Sequence, residues 1–205
     1  MLPENVDTFV AIINGLGVLA FAFSGAIAGM KKEADIVGVL ILSVIACSCG
    51  GLVRDIMIGD LPPELLRSNL ILVLALVSGL ITWFFHGKME RFHRSIDFFD
   101  ALGLGLFAVV GANKALAFGI NPTWSIGLGL LTGVGGGIAR DMMLAQVPTI
   151  FKSEIYATPA LLGALILVAG KSLFPGFGHV FMLLGAVVCS GLRLLAIHYN
   201  WHIRH

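Results

Sequence analysis

Gly50-Gly51-Leu52-Val53-Arg54-Asp55-Ile56-Met57 is answered 86 residues later by Gly136-Gly137-Ile138-Ala139-Arg140-Asp141-Met142-Met143. Glycine, arginine and aspartate fall in the same order in both copies. Each copy closes a long apolar run, where a charged side chain costs about 2.5 to 3.5 kcal/mol on membrane-insertion scales. A doubled charge pair in that setting asks for a functional reason.

The surroundings of the motif set the class. Hydrophobic residues make up 58% of the 205 and charged residues 12%, with a mean hydropathy of +0.96, against about 25% charged in an ordinary soluble domain. Five runs, 8–30, 36–53, 68–85, 115–139 and 172–192, are free of charge and mostly apolar, near the roughly 17 to 25 residues of a spanning helix. Two shorter runs, 101–113 and 155–170, extend past their ends because terminal lysines snorkel to the interface, the first reaching Gly119 across Lys114. The fold class expected is an all-α polytopic membrane protein with seven transmembrane helices. The first run follows Glu4 and Asp7 rather than positive charge and is too long for a signal-peptide core, so it counts as helix one.

The offset of 86 holds beyond the motif. Leu16-Gly17 meets Leu102-Gly103, Phe21-Ala22 meets Phe107-Ala108, Gly25-Ala26 meets Gly111-Ala112, and Pro62 meets Pro148. A charge run at 88–97, read as a solvated face touching anionic lipid, separates repeat one, about 8–86, from repeat two, about 97–172. A seventh helix, about 177–198, completes a single transmembrane domain over 1–205. Three helices per repeat is an odd number, so the second copy enters the membrane from the opposite side, giving a 3+3 inverted repeat plus one. Such repeats place a working site near the midplane, where interrupted helices meet.

Basic residues assign orientation, because cytoplasmic loops retain them. Lys31, Lys32, Lys88, Arg91, Arg94, Lys152, Arg193 and Arg204 collect on one side. The N-terminus is expected outside and the C-terminus in the cytoplasm of a multi-pass protein of the cell (inner) membrane. A net charge of +1 leaves no footprint for nucleic acid. Cys47, Cys49 and Cys189 lie in apolar runs without zinc spacing. His198 and His202 belong to a terminal interfacial belt with Tyr199 and Trp201. No nucleophile with a base and no phosphate loop is present, so neither an enzyme nor a cofactor is expected; ions would be cargo, and lipid a neighbour.

Gly25 and Gly29 have the spacing of a helix-packing motif. Gly50 with Gly51, and Gly135, Gly136 and Gly137, differ because consecutive glycines cover every side of a helix. They argue for a kink or an unwound turn in transmembrane helices two and five, whose freed carbonyls a hydrated cation path would satisfy. Helical neighbours point about 100° apart, so Arg54 is expected to pair with Asp141 and Arg140 with Asp55 across the pseudo-twofold, or all four line an aqueous vestibule. Lys114, alone in its run, either snorkels outward or moves in the membrane field as a gating charge.

Taken together, the doubled GGLVRD and GGGIARD motifs and the three-plus-three-plus-one pattern resemble the prokaryotic members of the trimeric intracellular cation (TRIC) channel family. The resemblance runs from about Asn14 to Tyr199. It implies a homotrimer with a pore in each subunit for potassium and sodium, kinked at Gly50, Gly51, Gly135, Gly136 and Gly137. It also implies pore-associated polar roles for Arg54, Asp55, Arg140 and Asp141. Cys49 stands where the second copy has Gly135, so the first kink is expected to be milder. The rival reading is a secondary transporter of a small zwitterion such as glycine, because related bacterial sequences carry that label and broken helices can hold a carboxylate. A lipid-binding scaffold is a third.

Overall fold

The computed structural model describes residues 7–85, 95–152, 155–199 and 201. Much of the charge run at 88–97, with His202 and Arg204, lies outside the described residues. The described chain is all-helical: α1 (Thr8–Met30), α2 (Ile36–Ile58), α3 (Glu64–Arg67), α4 (Asn69–Phe84), α5 (Ser95–Ala117), α6 (Pro122–Met143), α7 (Thr149–Lys152), α8 (Ala157–Leu173) and α9 (Gly178–His198). Among the described residues four helices are long and apolar enough to cross a membrane, and α4 and α8 are shorter apolar helices. The chain is a multi-pass membrane protein. The 22-residue α6 carries six glycines beside Arg140 and Asp141, which is why its length exceeds its hydropathy.

Local chemistry sets the helix ends. Asp35 caps α2 by accepting from the Gly38 amide, and Asn121 caps α6 by accepting from the Trp124 amide, with Pro122 in the first turn. The turns before these caps pass through positive φ at Glu33 and Gly119. That turn corrects one expected boundary. The apolar runs ending at Gly119 and beginning at Ala115 overlap on paper, and the break falls at 118–121. Gly59 and Ala145 likewise both take positive φ after α2 and α6. Each of these pairs is separated by the same 86 residues, so the repeat is preserved in the backbone as well as in the motif.

The two halves also touch reciprocally. A Cβ on Gly17 would strike the Phe107 ring, and one on Gly103 would strike the Phe21 ring. These rings meet at 5.3 Å in the core shared by α1 and α5. A Cβ on Gly50 would strike the Thr132 carbonyl, and one on Gly136 the Ala46 carbonyl. Contacts of residue i with j+86 and of j with i+86 are what a twofold rotation between the halves produces. At the centre α2 and α6 cross so closely that a Cβ on Gly135 would lie 2.7 Å from the Gly50 Cα.

The unwound turn expected at these glycines is absent. Both helices are continuous through them, and Gly50, Gly135 and Gly136 serve close approach of backbone to backbone. Gly25 and Gly29 do pack, against Leu42, Ala46 and Val39 of α2. Outside this core, α9 lies on α5 and α8: Gly105 meets Ser190, and Gly163 meets Gly185.

Candidate functional site

The Arg-Asp motif occupies the last turns of α2 and α6, and all four of its charged side chains are buried. Arg54 donates through Nε to Asp55 Oδ1 at 2.9 Å, with Nη2 at 2.8 Å from the same oxygen. Arg140 repeats this with Asp141 at 2.9 and 2.8 Å. The cross-repeat pairs expected from helical geometry, Arg54 with Asp141 and Arg140 with Asp55, are therefore overturned. The Cα–Cβ vectors diverge, but an arginine side chain is long enough to curl back onto its neighbour. The second carboxylate oxygen of each aspartate faces the following connection. Asp55 Oδ2 accepts from the Glu64 amide at 2.9 Å, and Asp141 Oδ2 accepts from the Thr149 amide and hydroxyl at 2.8 and 2.9 Å.

Beyond these bonds the halves part. Lys114, in the last turn of α5, reaches three carboxylates of the first half: Asp55 Oδ1 at 2.8 Å, Asp60 Oδ2 at 2.7 Å and Glu64 Oε2 at 3.3 Å. Arg67 also pairs with Asp60, and the Asn14 amide donates to Glu64 Oε1 at 3.0 Å. Burial pushes the Asp60 carboxyl up, and Lys114 and Arg67 more than reverse this, leaving it below its ordinary value. Three cations thus face three carboxylates. Among the described residues no group of histidine, cysteine and carboxylate side chains is arranged to hold a metal.

Arg140 has a different company. Its Nη1 donates to Asp100 Oδ1 at 2.8 Å and to the Ser24 hydroxyl. The Tyr156 hydroxyl donates to Asp100 Oδ2 at 2.8 Å. Arg193 of α9 lies 4.7 Å from the Tyr156 ring centroid and donates to the Ile155 carbonyl.

Two cavities end on the two motifs. One, of about 20 Å³, has Asn14, Ser48, Arg54, Asp55, Glu64 and Thr132 among its walls and has room for about one water. The other, of about 270 Å³, includes Ala28, Lys31, Lys32, Asp97, Arg140 and Asp141. Asn14 lies in the first half of α1 and Lys31 just past its last residue, roughly 25 Å apart at 1.5 Å per residue, so the cavities lie toward opposite ends of α1. The α2–α6 crossing lies between them.

Sequence reasoning singled out Arg54, Asp55, Arg140, Asp141 and Lys114, and the structure gathers them in two clusters. It missed Asn14, Ser24, Asp60, Glu64, Asp100 and Tyr156. Asp100 carried a signal, being a carboxylate directly before an uncharged run.

A family model described as "Glycine transporter" matches the chain twice, over residues 11–87 and 97–172. A UPF0126 membrane protein of Deinococcus radiodurans is 42% identical over 151 residues, covering 73% of this chain and 70% of that protein. Two solved structures share the fold. A prokaryotic TRIC channel crystallised in 0.5 M KCl superposes with a TM-score of 0.89 at 32% identity, over 96% of this chain and 99% of the other. The TRIC orthologue from Rhodobacter sphaeroides gives 0.91 at 30%, over 95% and 100%. The chain belongs to the prokaryotic TRIC family. Within this TRIC-family subunit, the two matches to one family model fall on the two halves whose backbone turns and contacts correspond. The family model's description names glycine, whereas the solved relatives are described as cation channels.

Proposed function

We propose that the protein is a passive monovalent cation channel, conducting potassium and sodium through a pathway within each subunit. The carrying observation is that each buried Arg-Asp pair lines a cavity, a small one of mixed lining at Arg54–Asp55 and a larger one at Arg140–Asp141, on either side of the close α2–α6 contact at Gly50 and Gly135. Buried charges at membrane depth that face a cavity mark an ion route. The likeness to solved TRIC channels supports the same reading. On this reading the close α2–α6 crossing is the constriction that must open. Opening bends or separates α2 and α6 at Gly50, Gly51, Gly135, Gly136 and Gly137, and Lys114, held by three carboxylates, is the gating charge.

The architecture belonging to this reading is seven spans as a 3+3 inverted repeat plus α9, in the cell membrane with the N-terminus outside. The assembly is a homotrimer surrounded by lipid. The reciprocal contacts support the inversion, since a twofold that places Arg54 and Arg140 at opposite ends of α1 also reverses α2 against α6.

Purified protein in planar bilayers tests the function. Discrete unitary currents in symmetric KCl are expected, and a protein mass per particle three times the 21.7 kDa of one chain by light scattering after detergent correction. A second reading, transport of a zwitterion such as glycine, is favoured by the family model's description and by the larger cavity, whose walls carry both lysines and Asp97. Absence of unitary current together with saturable glycine counterflow in liposomes would replace the channel by the transporter.

A further inference from the structure

The two Arg-Asp pairs are alike in sequence and unlike in company. At the offset of 86, the partners that hold Arg140 have no working counterpart around Arg54. Asp100 corresponds to Asn14, whose amide is turned to Glu64. Ser24 corresponds to Val110, and Tyr156 to Leu70, which is exposed on the molecular surface. In the other direction, Glu64 and Lys114 correspond to Ile150 and Ala28.

We propose that positions 14 and 100 assign the halves different duties: Asp100 makes the Arg140 pair a fixed anchor, and neutral Asn14 leaves the Arg54 pair as the half that rearranges. Asp100 is a positioning residue, acting through Arg140. The inference deepens the channel reading and rests on it only for what the rearrangement opens.

The two Arg-Asp pairs are equally buried, Arg54 and Asp55 being 3% and 1% exposed, and it is the exposure of their partners that separates the clusters. Arg140, Asp141, Asp100 and Arg193 are each no more than 5% exposed, and their bonds join α1, α5, α6, the start of α7, the entry to α8, and α9. Arg140, Asp141 and Thr149 also line the larger cavity, so the number of mutual bonds, rather than exclusion of water, is what holds this cluster together. Around Arg54, by contrast, Lys114, Arg67 and Glu64 are 18%, 29% and 36% exposed. Water can take over their bonds as they separate. The carboxylate supplied by Asp100 also fills the Arg140 fork on the side away from Asp141. At Arg54 the further carboxylate, Glu64 Oε2 at 3.6 Å, instead approaches Nη2, the nitrogen that already faces Asp55.

Each half contains its own reporter. The Glu64 amide bonds to Asp55, and the Thr149 amide bonds to Asp141. Exchange of these two amides, followed site by site by NMR in lipid nanodiscs and corrected for intrinsic rates, reads the opening of each pair. Thr149 is expected to be protected about tenfold or more over Glu64. Asp100→Asn should lower protection at Thr149 and leave Glu64 unchanged. Asn14→Asp combined with Asp100→Asn should transfer protection to Glu64, a result that a merely structural Asp100 would not produce. Should Asp100→Asn fail to fold, Tyr156→Phe keeps every charge while removing one bond from Asp100, and it should still lower Thr149 protection several-fold. Equal protection of the two amides in the unaltered protein overturns the proposal, as does an exchanged pair that leaves the order unchanged. Bilayer recordings on the same protein keep the readings apart. Exchange asymmetry without current counts against the channel alone, and current without asymmetry counts against the anchor alone.

Discussion

Asp55 and Asp141 each use one carboxylate for two tasks. One oxygen holds the preceding arginine, and the other caps the backbone of the next short helix at Glu64 or Thr149. That arrangement explains why the motif sits at a helix end, where the chain turns back over the charged pair. It also decides a charge-exchange experiment. Because Arg54 and Asp141 belong to different clusters, Arg54→Asp combined with Asp141→Arg should be no more stable than the poorer single variant in detergent melting curves. Each single change should cost about 3 to 5 kcal/mol, the usual loss when one partner of a buried pair is removed. Full recovery in the double variant would contradict the paired neighbours. Asp60 gives a pH counterpart outside the spans. Its carboxyl is held below the ordinary 3.8, so its contribution is fully present above that value and is lost as pH falls through the lower folded value. Asp60→Asn should therefore flatten the acid limb of a stability profile below pH 3.8 and leave the neutral region's slope unchanged.

The helices carry a sharper lesson about glycine. Two consecutive glycines are ambiguous in sequence, since a break and a close crossing both call for a missing side chain. The crossing partner is contributed by the other half of the chain, so the run itself holds no sign of it. The structure separates adjacent residues: a Cβ on Gly50 would collide with the Thr132 carbonyl, whereas one on Gly51 would meet only Arg54 Nη2 at 3.6 Å. Gly51→Ala should thus be neutral or stabilising by up to about 1 kcal/mol, the helix-propensity gain over glycine. Gly50→Ala and Gly136→Ala should instead cost about 1 to 3 kcal/mol through overpacking against backbone. Melting temperatures of the three variants check this ordering. Gly51→Ala at least as harmful as Gly50→Ala would show that position 51 is needed for bending. Helix ends carried local signals that the apolar runs alone did not use. Asp35, Asn121 and Pro122 are ordinary local signals, and they outweigh the apolar continuity that blurred the boundary near Lys114.

For the whole molecule, the apolar runs and the 86-residue offset were enough to read an all-helical membrane protein in two matching halves. The partners of Lys114 were not readable. They lie 50 to 59 residues away in the other half, and only the folded arrangement brings Asp55, Asp60 and Glu64 to one point. On the channel reading proposed above, that placement makes Lys114 the residue to test for a response to voltage. Its side chain is 18% exposed and sits at one end of α5, so its charge would cross only a fraction of the field, in which a full crossing is worth about 2.3 kcal/mol per charge per 100 mV. In the orientation proposed above, with the N-terminus outside, an inside-negative potential would pull it inward, away from the three carboxylates, and a reversed potential would seat it among them. Lys114→Gln removes the charge while keeping a hydrogen-bonding side chain, and it should flatten the dependence of open probability on voltage in bilayer recordings. Arg67→Gln is the matched control, because it also takes a cation from Asp60 but comes from α3 outside the spans; its voltage dependence should stay near that of the unaltered protein. An unchanged curve for Lys114→Gln, or equal flattening in both variants, would remove Lys114 as the gating charge and leave the carboxylate cluster as a fixed electrostatic lining.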